Sequence, residues 1–473
     1  MTARTLATDY LVIGTGAVAM AFVDTLLSES DADVIMVDRR GRCGGHWNDA
    51  YSFVRLHQPS AYYGVASREL SRWTKETHGP NEGMYALASG VEVLAHFDTV
   101  MQERFLASGR VRFLSLSEYV ECADGSHGVR SIMSGATTTI TVRKKVVDGR
   151  LMGTQIPATH PPRYRVADGV LCVPPNGLPA LGRPYANYTV LGAGKTAIDT
   201  CLWLLTHDVA PSRIWWIMPR DAWLLDRENF QPGIEQFETS GGAIIGQFEA
   251  IAQSRTMDEL LERLEERGQL MRLDPAITPT MYHCAVVSRG ELALLRGIDD
   301  IVRLGRVQSI GAAQLVLDGG SLPAEADSVY IDCSASAIPP MHRERHVTFD
   351  GDRINLVMIR FCQPLFSAAV IAWVECHVAD PDLANTLCLQ VPTPDVPADW
   401  LRMWAATLQN MRAWRQHAEL DGWMSGLRLN SATMMLRGGT REDPRVRERL
   451  GAISAASQAA AAALPSLLSS LRG

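Results

Sequence analysis

The sequence predicts an α/β protein with two units of parallel sheet and helix. In each unit a short apolar run leads at once into a glycine-rich turn, a stretch of helical length and a second apolar run. The two copies span residues 10–38 and 188–220. The chain has 473 residues, which is enough for two or three domains. Two such repeats in one chain predict two Rossmann-like domains.

The first copy has the residue types that a dinucleotide needs. Gly14 allows a tight turn, and Gly16 has no side chain to block a pyrophosphate. Ala19, in place of a third glycine, lets the helix pack close to the strand. The pyrophosphate then lies at the helix N-terminus, and Asp38, about 20 residues on, is placed to accept from ribose hydroxyls. We include the adjoining Arg39 among the predicted cofactor-binding residues. The alternative is an ordinary glycine turn of an α/β protein.

A second glycine element follows the acid and reads Gly44-Gly45-His46-Trp47. Here the chain resembles the flavoproteins with two dinucleotide-binding domains, and most of all the flavin-containing monooxygenases. In that group a Gly-Gly-x-Trp element follows the ribose-binding acid and wraps the FAD. The resemblance implies that FAD is the first cofactor, that Gly45 and Trp47 contact it, and that the FAD domain is interrupted by the nicotinamide domain. The alternative for Trp47 is a plain core aromatic.

The same resemblance places residues 51–70 beside the flavin ring. The family has an asparagine-bearing segment there, near the reactive edge of the ring, and His57 or Gln58 falls at about that point. We therefore name His57 and Gln58 as candidate catalytic residues. The alternative is that both side chains satisfy backbone groups in a tight loop that ends at Pro59.

The second copy contains the turn Gly192-Ala193-Gly194-Lys195-Thr196. We expect this turn to hold the pyrophosphate of a nicotinamide cofactor, with Gly192, Gly194, Lys195 and Thr196 as contacts. Its two glycines are too close together for the phosphate-binding loop of nucleotide hydrolases, so that function is rejected.

This copy ends in Arg220 where the first copy ends in an acid. A cation suits the 2′-phosphate of NADPH, whereas a carboxylate suits the bare ribose of NADH. The sequence therefore predicts NADPH as the second cofactor. The alternative is that Arg220 pairs with Asp221 or Asp226 at the surface.

Three stretches of chain are expected to form the two domains. They are residues 1–185 as the first part of the FAD domain, 186–335 as the NAD(P) domain with a helical insertion, and 336–473 as the return to the FAD domain with a helical end. Apolar spacing further predicts helices over 86–108, 223–273, 292–301, 400–414 and 452–471, and strands over 111–114 and within 132–147.

Composition excludes several function classes. The net charge is −7 without a basic stripe, so nucleic-acid binding is not expected. No run of 18 apolar residues predicts a membrane span, and the Ala-rich end of the chain looks too short for one. Nine scattered cysteines without a signal-type leader indicate reduced thiols in the cytoplasm. Nothing has the spacing of a metal site.

Two dinucleotide sites imply that hydride passes from NADPH to flavin. The resemblance then favours a monooxygenase that uses O2 to oxygenate a small organic substrate, with Gln363 and Ser367 as candidates for the substrate side. The family signature Phe-x-Gly-x-x-x-His is missing from residues 170–181, so the chain is a divergent member.

Flavin reduction can also have other outcomes. A flavin reductase or a peroxide-producing oxidase stays open, and a binding module without turnover is the least favoured. A disulfide reductase is excluded, because Cys43 has no closely spaced cysteine partner.

Overall fold

A computed structural model describes residues 4–121, 126–336 and 344–472. The first part of the chain forms eight strands and two helices. They are β1 Arg4–Ile13, α1 Ala17–Glu29, β2 Val34–Val37, β3 Gly64–Val65, β4 Arg68–Glu69, α2 Gly90–Val100, β5 Val111–Leu114, β6 Ser117–Glu121, β7 His127–Ser131 and β8 Thr137–Asp148.

The middle part of the chain forms twelve strands and four helices. They are β9 Arg165–Val166, β10 Cys172–Val173, β11 Asn187–Leu191, α3 Lys195–Thr206, β12 Ile214–Ile217, β13 Ala222–Asp226, α4 Phe237–Gln253, α5 Met257–Glu266, β14 Leu270–Met271, β15 Met281–Val287, α6 Arg289–Leu295, β16 Ile301–Val302, β17 Val307–Ile310, β18 Gln314–Leu317, β19 Gly320–Pro323 and β20 Ser328–Asp332.

The last part is mostly helical. It contains β21 Phe349–Asp350, β22 Arg353–Asn355, α7 Pro364–His377, α8 Pro381–Leu387, α9 Pro397–Gln416, α10 Ala418–Gly426, α11 Ser431–Met435 and α12 Pro444–Ser469.

The first sheet draws its strands from both ends of the chain. Its order is β21-β22-β8-β1-β2-β5, with the β6-β7 hairpin attached to β8. Strand β1 pairs in parallel with β2 and β8, and β22 pairs in parallel with β8. Because β22 comes after the whole second sheet in the sequence, the first domain is discontinuous, as predicted. The domain boundaries at residues 185 and 335 stay predictions.

Helix α1 lies between this sheet and α7, and its packing explains its composition. It is apolar on nearly all sides, and most of its residues are buried. A helix that is hydrophobic all round belongs inside a protein. Its contacts with α7 fasten the C-terminal part of the chain to the first sheet.

The second sheet is fully parallel, with the order β10-β20-β11-β12-β16. Leu191 of β11 is in register with Ile217 of β12, so both strands end at the same edge. Ligands of open α/β sheets bind outside the carboxyl ends of the strands. The second glycine turn and the segment that carries Arg220 both start from this edge.

Two of the predicted helices were wrong in extent. Residues 223–273 do not begin as a helix, because 222–226 form the buried strand β13 between β14 and β15. A short apolar run in a buried strand has no periodicity that distinguishes it from a helix. In the second case, α6 ends at Leu295, and Ile301 already belongs to β16. The helix expected over 86–108 begins at Gly90, where Ser89 and Glu92 form a capping box.

The C-terminal helix is longer than the sequence indicated. Helix α12 has 26 residues and begins at Pro444, after the N-cap Asp443. Within the described residues it is the one helix long and apolar enough, by length and composition alone, to cross a membrane. Ala460, Leu464 and Leu467 on one side of it pack into an apolar cluster with residues of α4 and α9.

A buried histidine in α2 makes folding sensitive to acid. His96 is 7% exposed, and a Cβ on Gly64 would lie 2.6 Å from its Nε2 atom. Burial, together with the charges of Arg428 and Arg68, lowers the pKa of His96 to about 4. The imidazole therefore stays neutral in the folded protein at neutral pH.

We predict that the free energy of unfolding falls by up to ~3 kcal/mol as the pH drops from about 6.5 to about 4 because of His96. In that window the unfolded chain binds the proton and the folded chain does not, so acid favours unfolding. Urea unfolding of His96→Phe should lack this part of the pH dependence. The exposed His78→Phe serves as the matched control, and an unchanged pH profile in His96→Phe would contradict the assignment.

Candidate cofactor and active site

The first glycine turn leaves the N-terminus of α1 free for an anion. Gly14 has a φ of +94°, and its N–H donates to the Val37 carbonyl over 2.7 Å. Gly16 is the N-cap of α1 and makes no side-chain cap, and the first helical turn contains no acid. The free N–H groups and the helix dipole therefore favour a phosphate at this point. Ala19 is fully buried, and a Cβ on Gly149 would lie 3.0 Å from its Cβ.

Asp38 is engaged by the chain itself. Its Oδ2 atom accepts from the N–H and the hydroxyl of Thr15, both over 2.8 Å, and its Oδ1 atom accepts from the N–H of Arg40 over 2.9 Å. The carboxylate thus holds the glycine turn in shape at the end of β2. Arg39 points outward, with 77% of its side chain exposed, and lies 3.1 Å from Glu118. The predicted contacts of Asp38 and Arg39 with the cofactor stay predictions.

The Gly-Gly-x-Trp element closes directly onto the first turn. Gly44 has a φ of +109°, and its N–H donates to the Thr15 carbonyl over 2.8 Å. A Cβ on Gly45 would lie 2.9 Å from the Cα of Gly16, so only glycine fits at this contact. Trp47 is 9% exposed and donates from Nε1 to the Tyr63 hydroxyl over 2.8 Å. Trp47 therefore also has a place in the core of the first domain.

The second glycine turn is more open than the first. Gly192 has a φ of +132°, and a Cβ there would lie 2.6 Å from the carbonyl oxygen of Cys333. Gly194 is the N-cap of α3, again without a side-chain cap or an acid in the first turn. A Cβ on Gly194 would meet no heavy atom within 4 Å among the described residues. This turn combines free helix N–H groups with room for a ligand.

The side chains of Lys195 and Thr196 lie on the first turn of α3. The Lys195 ammonium pairs with the Asp199 carboxylate one turn along the helix and reaches the Arg55 carbonyl over 3.5 Å. The sequence singled out Lys195 as a phosphate contact. In the structure it also ties α3 to the loop that follows the Gly-Gly-x-Trp element.

That loop, residues 51–58, joins the two glycine turns. The Tyr51 hydroxyl donates to Asp199 over 2.6 Å, and the Phe53 ring stacks on Trp203 with centroids 4.8 Å apart. Sequence reasoning missed Tyr51 and Asp199, since nothing in local spacing links residues 148 positions apart. The loop therefore starts on the first domain and rests on α3, the helix that follows the second glycine turn.

The far end of the loop is held by a buried arginine. Arg227 is 1% exposed and donates from Nε to the His57 carbonyl over 3.0 Å. Its charge is balanced by Glu291 at 2.8 Å. Burial, followed by the charges of Lys195 and Arg227, lowers the pKa of the His57 imidazole well below its ordinary value. His57 is thus neutral and close to the start of α3, and Gln58 beside it is half-buried.

We predict that Tyr51→Phe lowers the free energy of unfolding by roughly 1.5–3 kcal/mol, since the hydrogen bond to a largely buried carboxylate is lost. Urea unfolding measures this loss. Tyr119→Phe is the matched control, because it removes a hydroxyl contact of 3.0 Å with His127 at the β6-β7 hairpin. If both variants lower the free energy of unfolding equally, the hydrogen bond from Tyr51 to Asp199 adds no special stability.

Arg220 has a partner that the sequence did not suggest. Its Nη2 atom lies 3.0 Å from Asp395 Oδ1, and His283 Nε2 lies 2.9 Å from the same oxygen. The alternative of a pair with Asp221 or Asp226 was wrong. Asp221 is bonded to Arg303 over 2.8 Å and 3.0 Å, and Asp226 is bonded to Arg289 over 2.7 Å. Arg220 remains 34% exposed beside the edge where β12 ends.

The segment before α7 and the helix α9 each contain a buried polar atom without a partner among the described residues. Gln363 Oε1 and Asn410 Oδ1 have no hydrogen-bond partner among the described residues. The Arg360 guanidinium donates to Asn430 over 2.8 Å and lies 4.8 Å from the centroid of Phe366. Burial lowers the pKa of Arg360 to about 10. By contrast, the Ser367 hydroxyl is used within the segment, since it donates to the Gln363 carbonyl.

The described residues hold no group of three or more His, Cys, Asp or Glu side chains placed to bind a metal ion.

Comparison with known proteins gives close relatives and a distant fold match. No family model matches the chain. It is 47% identical over 451 residues to the uncharacterized protein Rv2000 of Mycobacterium tuberculosis, covering 95% of this chain and 82% of that protein. The same values hold for the uncharacterized protein Mb2023 of Mycobacterium bovis.

Among solved structures, the polycyclic ketone monooxygenase from the fungus Thermothelomyces thermophila aligns with a TM-score of 0.52 at 12% identity. The alignment covers 98% of this chain and 89% of that protein. The two chains share a fold, which confirms the predicted architecture.

Proposed function

We propose that this chain, which belongs to the family of the mycobacterial proteins Rv2000 and Mb2023, is an FAD- and NADPH-dependent monooxygenase of a small organic substrate. One observation carries the proposal. Helices α1 and α3 both follow a parallel strand, both have a glycine N-cap without a side-chain cap, and neither has an acid in its first turn. Two anion sites of this kind in one chain suit two dinucleotides.

The residues around the first turn fit the diphosphate of FAD. Gly14 and Gly16 would leave the helix N–H groups free to bind the pyrophosphate, and Asp38 would fix the turn from behind. Ala19 keeps α1 close to the strand, while Gly45 and Trp47 would cover the cofactor from the other side. Bound FAD supplies the two-electron chemistry between NADPH and O2.

The residues around the second turn fit NADPH. Gly192 and Gly194 would accommodate its pyrophosphate, with the Thr196 N–H in the first turn of α3 as a further donor. Lys195 would contact a phosphate at the same helix end in exchange for part of its ion pair with Asp199. Arg220 would bind the 2′-phosphate from the neighbouring strand end, in exchange for part of its contact with Asp395.

We propose that the loop 51–58 acts where the two cofactors meet, because it contacts both the first domain and α3. We assign His57 and Gln58 to the face of this site. A neutral imidazole can donate from one nitrogen and accept at the other, so His57 can hold a proton or a polar group in place without adding charge. Arg227 fixes the loop backbone at His57, and Tyr51 fixes its start.

The unpartnered atoms near α7 offer a place for polar substrate groups. Among the described residues, Gln363 Oε1 and Asn410 Oδ1 are acceptors that lack a donor, and Arg360 is a half-buried cation. A buried polar atom without a partner costs about 1–3 kcal/mol, which a bound ligand would recover. We therefore assign Gln363, but not Ser367, to the substrate side.

A reducing compartment is consistent with the cysteines. All eight cysteines in the described part of the chain are free. We propose a cytoplasmic location on this basis.

The test of the function is oxygen-18 incorporation. The purified chain, loaded with FAD, is given NADPH, ¹⁸O2 and a panel of ketones, amines and sulfides, and the products are examined by mass spectrometry. We expect one ¹⁸O atom in a product, coupled to NADPH use. NADPH use that yields only stoichiometric hydrogen peroxide across the panel would contradict monooxygenation and favour an oxidase.

A further inference from the structure

Two cysteines far apart in the sequence meet in the folded chain. Cys284 lies in β15, and Cys362 lies in the segment that leads into α7. Their Sγ atoms are 2.7 Å apart across a sequence separation of 78 residues. A disulfide bond has an S–S length of about 2.05 Å. The two Sγ atoms therefore need to approach each other by less than about 1 Å to form one.

Both cysteines have a backbone conformation that is rare for residues other than glycine. Cys284 has a φ of +55° and Cys362 a φ of +49°. Residues other than glycine rarely adopt such values, and cysteine is not among the types that tolerate them well. Two facing cysteines in this conformation indicate that the surrounding fold holds both backbone segments where the sulfurs meet.

The surroundings of the pair are apolar but not sealed. Met358, Val391 and Met403 form a small buried cluster against which both cysteines pack. Each of the two cysteines is only half-buried, so a small oxidant has access. Tyr282, two residues before Cys284, is fully buried, and its hydroxyl has no partner among the described residues.

The contact between the sulfurs affects the acidity of Cys362. The Cys362 thiol donates to the Cys284 sulfur. This bond, followed by burial, raises the pKa of Cys362 well above its ordinary value. The contact leaves either cysteine able to attack an oxidant, with the other as the second thiol.

We propose that Cys284 and Cys362 are a disulfide-forming modification site that responds to hydrogen peroxide. One of the two cysteines, as its thiolate, attacks one peroxide oxygen and breaks the O–O bond, which leaves a sulfenic acid and a hydroxide that takes up the thiol proton to give one water. The second sulfur then attacks the sulfenic sulfur, and its own proton leaves with the displaced hydroxide as the second water. Overall, two thiols and one H2O2 give one disulfide and two H2O. The thiols lose two electrons, and peroxide gains them.

The bond would join the strand β15 covalently to the start of α7. His283, the residue before Cys284, is bonded to Asp395, which also holds Arg220. The modification therefore lies one residue from the contact network of Arg220. A spacing of 78 residues gives no sequence signal, since motif reasoning examines only closely spaced cysteines.

Peptide mapping of the full-length chain tests the proposal. The protein is reduced, freed of reductant, exposed to H2O2, alkylated and digested without reductant. We expect a peptide pair joined through Cys284 and Cys362, two hydrogens lighter than the separate peptides and released by reductant. Thiols counted after denaturation should fall by two from the nine in the sequence.

Two variants sharpen the result. Cys284→Ser should abolish the joined peptides, whereas Cys376→Ser, also half-buried, should leave them unchanged. The peptides of the unaltered chain decide the question even if Cys284→Ser fails to fold. Full alkylation of both cysteines after peroxide, or oxygen added to one of them without a cross-link, would overturn the proposal.

Discussion

Gly194→Asp is expected to weaken NADPH binding by roughly 100-fold or more while leaving the fold intact. Gly194 has no left-handed φ, and a Cβ on it meets no heavy atom within 4 Å among the described residues. The substitution therefore adds no clash to the folded chain. It does place a carboxylate at the N-terminus of α3, where it would fill the proposed anion site and repel a pyrophosphate.

We expect the Kd for NADPH to rise roughly 100-fold or more, which corresponds to about 3 kcal/mol. The NADPH concentration at which the rate of flavin reduction is half-saturated, followed by anaerobic stopped-flow absorbance, gives this value. Gly182→Asp is the matched control, because Gly182 is an exposed glycine with the same open surroundings in the loop before β11. Equal NADPH affinity in Gly194→Asp and Gly182→Asp would remove α3 from the cofactor site.

The second large effect is expected at Arg220, as a loss of preference for NADPH over NADH. We choose Arg220→Gln, because an aspartate at this position would face Asp395, the present partner of Arg220. A charge-assisted hydrogen bond contributes about 1.5–3 kcal/mol. The ratio of kcat/KM for NADPH to that for NADH should therefore fall by roughly 10- to 100-fold.

Values for NADH itself should change little, since NADH has no 2′-phosphate for Arg220 to bind. Arg213→Gln is the control at the other end of the same strand, where Arg213 donates to the carbonyls of Tyr185 and Ala186. A ratio that stays constant in Arg220→Gln, or falls equally in Arg213→Gln, would exclude a role for Arg220 in selecting the cofactor.

Much of this architecture was predictable from the sequence because the glycine turns carry local information. Gly14 and Gly192 adopt positive φ values that only glycine accepts readily, and each follows a short run of buried strand residues. Gly16 and Gly194 each cap a helix, as the motif predicts. The strand 111–114 and the β-rich region up to Asp148 also agree with their patterns.

The parts that could not be predicted depend on contacts between distant residues. Tyr51 meets Asp199, Arg220 meets Asp395 and Cys284 meets Cys362, at separations of 148, 175 and 78 residues. No periodicity or motif records such contacts. The buried strand 222–226 was missed for another reason, since a short apolar run fits a helix and a strand equally well.

Asp38 illustrates how a motif residue can have two duties. Its position after the second apolar run predicts a ribose contact. In the folded chain the carboxylate also accepts three hydrogen bonds from Thr15 and Arg40, which shape the first glycine turn. Its removal should therefore affect folding and cofactor binding together, which makes Asp38 a poor choice for testing the site.

Anaerobic stopped-flow mixing of the purified yellow protein with NADPH tests the central claim most directly. That claim is that one chain binds a flavin and a nicotinamide cofactor and passes hydride between them. We predict that the absorbance of oxidised flavin is lost in a single turnover, that the rate saturates with NADPH, and that NADH is a poorer donor. A chain that binds no FAD, or a bound flavin that NADPH does not reduce, would contradict the account.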